Sequence, residues 1–246
     1  MGSLDGSIAL VTGATAGIGR AVALQLAELG AEVIVHGRNT ARGRETVAEL
    51  EAAGGRARFV AADLGAADEV RRLAKEAGEV DILINNAGVY RFGATSEVDD
   101  ATFDEHIDTN LRAPFILIQE LAPGMAARGR GAVVNVSTVA ASAPVRSGGI
   151  YGASKAALEL LTRVWADEFG SSGVRVNAVS SGPAYTPGTE GFGEMINALG
   201  ATTITGRPAD AAEIAAAITF LCTPAASYVN GTVLEATGGK PALTVA

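Results

Sequence analysis

The sequence has one cysteine, Cys222, and only two histidines, His36 and His106. A lone thiol makes no internal disulfide, which suits a reducing, cytoplasmic setting. The three side chains lie far apart in the chain, so no metal-ligand cluster is expected. Positive charge is also scarce: 19 Lys and Arg stand against 27 Asp and Glu, a net charge of −8. A field of that sign repels phosphate backbones and anionic bilayers, so neither nucleic acid nor membrane is expected as a partner. No apolar run approaches the roughly 18 residues that a membrane-spanning helix needs. The first residues lack a basic segment followed by an apolar one, so no signal peptide is expected. Gly6 stands where an N-myristoylation pattern requires Ser or Thr.

What is present is glycine, 31 of 246 residues, against a usual ~7%. The length fits one domain over residues 1–246, able to bury about 70–75% of its unfolded surface. Short runs rich in Val, Ile and Leu at 8–11, 33–35, 58–60, 82–84, 132–136, 174–179 and 232–234 read as strands covered on both faces. Between them, 17–29, 41–53, 66–77, 101–127, 151–169 and 209–222 read as helices. This alternation predicts an α/β fold: a doubly wound, seven-stranded parallel sheet with helices on both faces, Rossmann-like. The longest irregular stretch, 180–205, is rich in Gly, Pro and Thr, and a substrate lid is expected at about 184–205.

Thr12-Gly13-Ala14-Thr15-Ala16-Gly17-Ile18-Gly19 follows the first strand and opens directly into a helix. Glycines let the chain turn tightly and approach a pyrophosphate at the helix N-terminus, where free N–H groups favour anions. Gly13, Thr15, Gly17, Ile18 and Gly19 are therefore candidate cofactor-binding residues; the alternative is a plain glycine-lined turn. About 20 positions on, dinucleotide folds carry either a carboxylate for a ribose 2′-hydroxyl or an arginine for a 2′-phosphate. Here the run is Val35-His36-Gly37-Arg38-Asn39, without a carboxylate. Arg38 favours NADP, with NAD still possible, unless it is simply a solvated loop cation.

Tyr151-Gly152-Ala153-Ser154-Lys155 places Tyr and Lys on one helical face, able to converge on a cleft. A phenol of pKa ~10 works as an acid–base group near neutrality only if neighbouring cations favour its phenolate; a shift of ~3 units needs about 4 kcal/mol. Together with the glycine-rich loop and Asn85-Asn86-Ala87-Gly88, this sequence resembles the short-chain dehydrogenase/reductase family, in particular its carbonyl and 3-oxoacyl reductases, from about residue 5 to 240.

The resemblance implies an NAD(P)-dependent oxidoreductase. Tyr151 would exchange a proton with the substrate oxygen, and Lys155 would bind the nicotinamide ribose and depress the tyrosine pKa. Asn110 would hold a water linking Lys155 to solvent. Asp63, with Leu64, would lie at the adenine. Asn86, Ala87 and Gly88 would flank the adenosine ribose, while Thr186, with Gly182, would meet the nicotinamide. The substrate-orienting serine expected thirteen residues before the tyrosine falls on Thr138, whose neighbour is Ser137. Adjacent strand residues face opposite ways, so only one reaches the cleft: Thr138 by spacing, Ser137 if the loop is one residue longer. A second departure is Ser181-Gly182, where relatives carry Pro-Gly.

The expected substrate is a small-molecule carbonyl or secondary alcohol, held in an apolar pocket built from Tyr185, Phe192, Met195, Ile196 and Leu199 of the lid with Tyr90 and Phe92. The same residues would otherwise serve to pack the lid. Two other readings stay open. One is a 3-oxoacyl-thioester reductase, for which Arg128 and Arg130 are the plausible basic residues near the entrance. The other is a non-catalytic dinucleotide sensor. The predicted helices around 115–121 and 151–169 are apolar on more than one face, so a homo-oligomer, dimer or tetramer, is expected.

Overall fold

The computed structural model describes residues 3–239. Nine strands run through them: β1 Ile8–Val11, β2 Glu32–Gly37, β3 Arg56–Ala61, β4 Ile82–Asn85, β5 Gly131–Thr138, β6 Val174–Ser181, the short β7 Ala184–Tyr185 and β8 Ala209–Asp210, and β9 Val233–Ala236. The helices are α1 Gly17–Glu28, α2 Thr40–Ala52, α3 Ala67–Ala77, α4 Asp100–Ile107, α5 Ala113–Ala127, α6 Gly149–Gly170, α7 Glu194–Ala201 and α8 Ala211–Cys222.

Seven strands form one parallel sheet in the order β3-β2-β1-β4-β5-β6-β9. Their unbroken apolar runs serve two cores at once, because successive side chains point to opposite faces. Ala9, Val11, Val33, Val35, Ile82 and Ile84 pack with α1 and α8 on one side. Leu10, Ile34 and Leu83 pack with α3, α5 and α6 on the other. The order reverses between β1 and β4, and at that point the carboxyl ends of an open parallel sheet leave a crevice. This is the feature of the fold that locates the site.

Two expectations need correction. The predicted helix over 101–127 is interrupted: α4 and α5 are separated by a π-helical turn, Asp108–Arg112. At its centre the Asn110 side chain is buried and tied to the loop after β4, which accommodates the extra residue in the turn. The stretch 180–205 is also less irregular than expected. Ser180 and Ser181 complete β6, α7 lies within the segment, and β7 pairs with β8 so that the two ends of the flap are joined. That pairing uses Ala209 and Asp210, so the last helix starts at Ala211, where the Glu213 carboxylate accepts from Asp210 N at 2.9 Å.

Candidate active site

Beyond β1, Gly13 (φ +65°) and Gly17 (φ +53°) adopt left-handed backbone conformations suited to glycine. A Cβ on Gly19 would lie 2.3 Å from Gly13 O, so that position is closed to side chains. The backbone N–H groups of residues 15–19 have no acceptor among the described residues. Helix α1 has neither a side-chain N-cap nor an acidic residue in its first turn. By contrast, Asn39 caps α2 and Asp99 caps α4. Free donors at the positive end of a twelve-residue helix fit a dinucleotide pyrophosphate.

Two residues outside the expected set hold this loop in place. The Thr12 hydroxyl donates to Ile84 O at 3.0 Å and accepts from Asn86 N at 2.9 Å and Ala87 N at 3.0 Å. Asn86 Nδ2 returns a bond to Thr12 O at 2.9 Å. His36 Nδ1 accepts from Gly13 N at 3.2 Å, and Nε2 faces Ala62 O at 3.1 Å. Those partners require a neutral ring protonated on Nε2. Burial favours the same form and lowers the His36 pKa to about 4, although the Ala62 carbonyl opposes the shift. The available signals were a hydroxyl just before the first loop glycine and a histidine inside an apolar strand.

At the end of β2, Arg38 lines the cleft with Asn39 and Arg42, and across from them stand Asp63 and Leu64. Arg38 forms no hydrogen bond or ion pair among the described residues. Asp63 Oδ1 accepts from Gly65 N at 3.0 Å.

The remaining expected residues meet over β4 and β5. Lys155 is buried, its Nζ donating to Val136 O at 2.8 Å, and burial lowers its pKa to about 8. A Cβ on Gly88 would sit 3.1 Å from Asn110 Oδ1 and 3.4 Å from Lys155 Nζ, so these three converge. The Asn110 amide is fully engaged: Oδ1 accepts from Val89 N at 2.8 Å, while Nδ2 donates to Val89 O at 2.9 Å and Ser154 Oγ at 3.1 Å. Ser137 turns toward α6 and donates to Glu159 Oε1 at 2.6 Å. Thr138 turns the other way, toward the Tyr151 phenol, and its hydroxyl there favours ionisation. Burial is nonetheless the larger influence and moves the Tyr151 pKa upward.

Of the expected catalytic and cofactor-binding residues, Asn110 and Gly19 stand behind the lining; the others line one cleft of about 540 Å³. Thr186 sits over the glycine loop, where a Cβ on Gly17 would meet its Cβ at 3.1 Å. Gly182 passes the strand end so closely that a Cβ would lie 2.8 Å from Thr237 Cα. Ser181 closes locally onto Gly182 O at 2.9 Å.

The other end of the cleft is aromatic. Tyr90 and Phe92 each contact both Tyr151 and Phe192, with ring centroids 5.9–6.3 Å apart. Val145, Ile196 and Leu199 complete the wall. Two expected pocket residues lie elsewhere: Met195 is exposed, and Tyr185 points along the outside of the flap, its hydroxyl bonded to Asn197. Arg128 and Arg130 are likewise not at the entrance. They flank the amino end of β5, opposite the cleft, and pair with Asp81.

Residues 13–240 match the family model described as enoyl-(acyl carrier protein) reductase. The chain belongs to the short-chain dehydrogenase/reductase family. It is an NAD(P)-dependent oxidoreductase of that family. It is 36% identical over 244 residues to the gluconate 5-dehydrogenase of Gluconobacter oxydans, covering 96% of this chain and 95% of that one. A solved short chain dehydrogenase/reductase family protein superposes with a TM-score of 0.92 at 47% identity, covering 96% of this chain and 98% of that chain. A blue fluorescent protein from a metagenomic library, solved in complex with NADPH, superposes with a TM-score of 0.92 at 34% identity, covering 98% and 100%.

Proposed function

We propose that this short-chain dehydrogenase/reductase transfers a hydride between NADP(H) and an uncharged carbonyl or secondary alcohol. The observation that carries the reading is the position of Tyr151. Its phenol lies where the glycine-lined cradle meets the aromatic wall, beside Thr138 and one helical turn from buried Lys155. When bound, the nicotinamide supplies the hydride in reduction and takes it in oxidation. Tyr151 gives its proton to the carbonyl oxygen in reduction and recovers it in oxidation, and a phenol kept protonated by burial suits the first direction. Thr138 orients the same oxygen through its hydroxyl. Lys155 holds the nicotinamide ribose, and Asn110 fixes the loop at Gly88 beside it. Thr186, on the flap above the glycine loop, meets the nicotinamide side of the cleft.

Arg38, with no hydrogen bond or ion pair among the described residues and at a strand end without a carboxylate, supports a 2′-phosphate and hence NADP(H) over NAD(H). Beyond Tyr151 the cleft wall carries no charged side chain among the described residues, which supports a neutral substrate over an aldonic acid or an acidic carrier. The flap over 184–205, with Phe192, Ile196 and Leu199 facing inward, acts as the lid. Phe115, Leu160 and Val164 leave an exposed apolar strip on α5 and α6, which supports assembly with a second copy of the chain. A buried Cys222 thiol, donating to Ile218 O, suits the reducing cytoplasm.

The test is NADPH oxidation over a panel of neutral ketones, with acyl thioesters and keto acids included. Turnover of apolar ketones that Tyr151→Phe abolishes is expected. Saturable NADPH binding without turnover of any carbonyl would replace the enzyme reading with that of a sensor.

A further inference from the structure

His106 is completely buried in α4, yet nothing in the proposed proton transfer uses it. Its ring stands edge-on to Tyr151, centroids 6.4 Å apart. Nδ1 lies 2.7 Å from Thr102 O and Nε2 lies 3.1 Å from Arg91 N. The first partner is a carbonyl and the second an N–H, so the ring donates from Nδ1 and accepts at Nε2.

The importance of that acceptor lies in the segment it holds. Residues 89–93 leave β4 without regular secondary structure. Val89 N donates to Asn110 Oδ1 at 2.8 Å, Arg91 N to His106 Nε2 at 3.1 Å, and Gly93 N to Ser147 O at 2.8 Å. Every second residue is thus fastened to the body of the protein. The two between them, Tyr90 and Phe92, line the cleft and pack on both Tyr151 and Phe192. The Tyr90 and Phe92 N–H groups have no acceptor among the described residues. Arg91 is held a second time, its Nε reaching Glu105 Oε2 at 2.5 Å, but that pair is exposed to solvent and contributes little.

We infer that His106 is a positioning residue for substrate selection: its Nε2 fixes the centre of the 89–93 segment, and thereby sets where the Tyr90 and Phe92 rings stand against Tyr151 and Phe192 and how much room this end of the cleft leaves for a planar or ring-bearing group on the substrate. The inference rests on the proposed carbonyl reduction for its consequence in turnover, but the hydrogen bond itself is open to measurement without turnover.

Amide exchange by NMR on the wild-type protein comes first. The Arg91 amide is expected to exchange at least tenfold more slowly than those of Tyr90 and Phe92. Equal exchange at all three overturns the inference, whatever the enzyme does. Next, His106→Phe keeps a ring against Tyr151 and removes the acceptor, whereas His106→Gln keeps an acceptor and removes the ring. In folded His106→Phe, KM for acetophenone is expected to rise about tenfold while kcat for 2-butanone and the NADPH Kd stay within about twofold. His106→Gln is expected to recover most of the loss. Unchanged KM in His106→Phe, equal loss in both variants, or equal loss for both ketones overturns it. If the wild-type enzyme reduces neither ketone, the substrate reading fails by itself, and the exchange pattern still decides the role of His106.

Discussion

The two ends of the cleft are built on opposite principles. At the nucleotide end the backbone forms the surface: glycines at 13 and 17, N–H groups with no acceptor among the described residues, and a frame of short polar bonds from Thr12, His36 and Asn86. At the far end side chains form the surface, in a cluster of rings contributed by the 89–93 loop, α6 and the flap. A backbone surface has one shape and binds one kind of ligand. A side-chain surface is redrawn by single substitutions. The comparison therefore explains how a family shares a cofactor while its substrates differ.

The predictions probe that division, and the largest concerns the residue at the boundary. Tyr151→Phe is expected to lower kcat for carbonyl reduction by about 10²–10⁴-fold while leaving the NADPH Kd unchanged, since only the proton donor is removed. An equal loss in NADPH affinity would show that the boundary does not lie at this residue.

The second concerns the rigidity of the nucleotide end. His36 has a folded pKa of about 4 against an ordinary value of 6.5, so the native state disfavours protonation. The resulting contribution is intact above pH 6.5 and falls away between pH 6.5 and 4, where the unfolded chain binds a proton first. The loss amounts to about 3 kcal/mol. Denaturant titrations of wild type and His36→Gln across that range measure it as a difference. A parallel pH dependence in both would place the restraint elsewhere.

The third separates the cofactor's phosphate from its common part. Arg38→Ala is expected to weaken NADPH binding about 10–100-fold and leave NADH binding nearly unchanged, as for loss of charge-assisted bonds to one group. The smallest effect belongs to the far end. Phe192→Ala removes ring contacts worth about 0.5–1.5 kcal/mol, so KM for an aryl ketone is expected to rise roughly 2–10-fold with the NADPH Kd fixed. A change in nucleotide affinity there would mean that the flap serves both ends.

The same contrast governs what can be read from the sequence. The strands of the large sheet are legible because Leu10, Ile34 and Leu83 alternate with neighbours that are equally apolar, leaving runs that only a sheet covered on both faces explains. The glycine loop and the Tyr151–Lys155 pair are legible because close approach and one-turn spacing are local requirements. Thr138 and Ser137 are separable from strand alternation, and they point apart in the fold. The interruption near Asn110 is not legible, because its cause is a pair of bonds to Val89, 21 positions earlier. Nor is the outward turn of Tyr185 and Met195, which depends on how the flap is folded on itself. The place of Arg128 and Arg130 at the amino end of β5 is not legible either, because charge says nothing of which end of a strand it occupies.

The two-residue ribbon of Ala184–Tyr185 with Ala209–Asp210 gives the flap a neck. Chain added or removed above a neck alters a closed loop without shifting the strands below it. For a flexible loop, doubling the length costs only ~0.6 kcal/mol of closure entropy. The segment between those four residues is accordingly a natural cassette. Transplanting it from one relative to another is the most economical way to exchange what the enzyme accepts while its nucleotide grip stays the same.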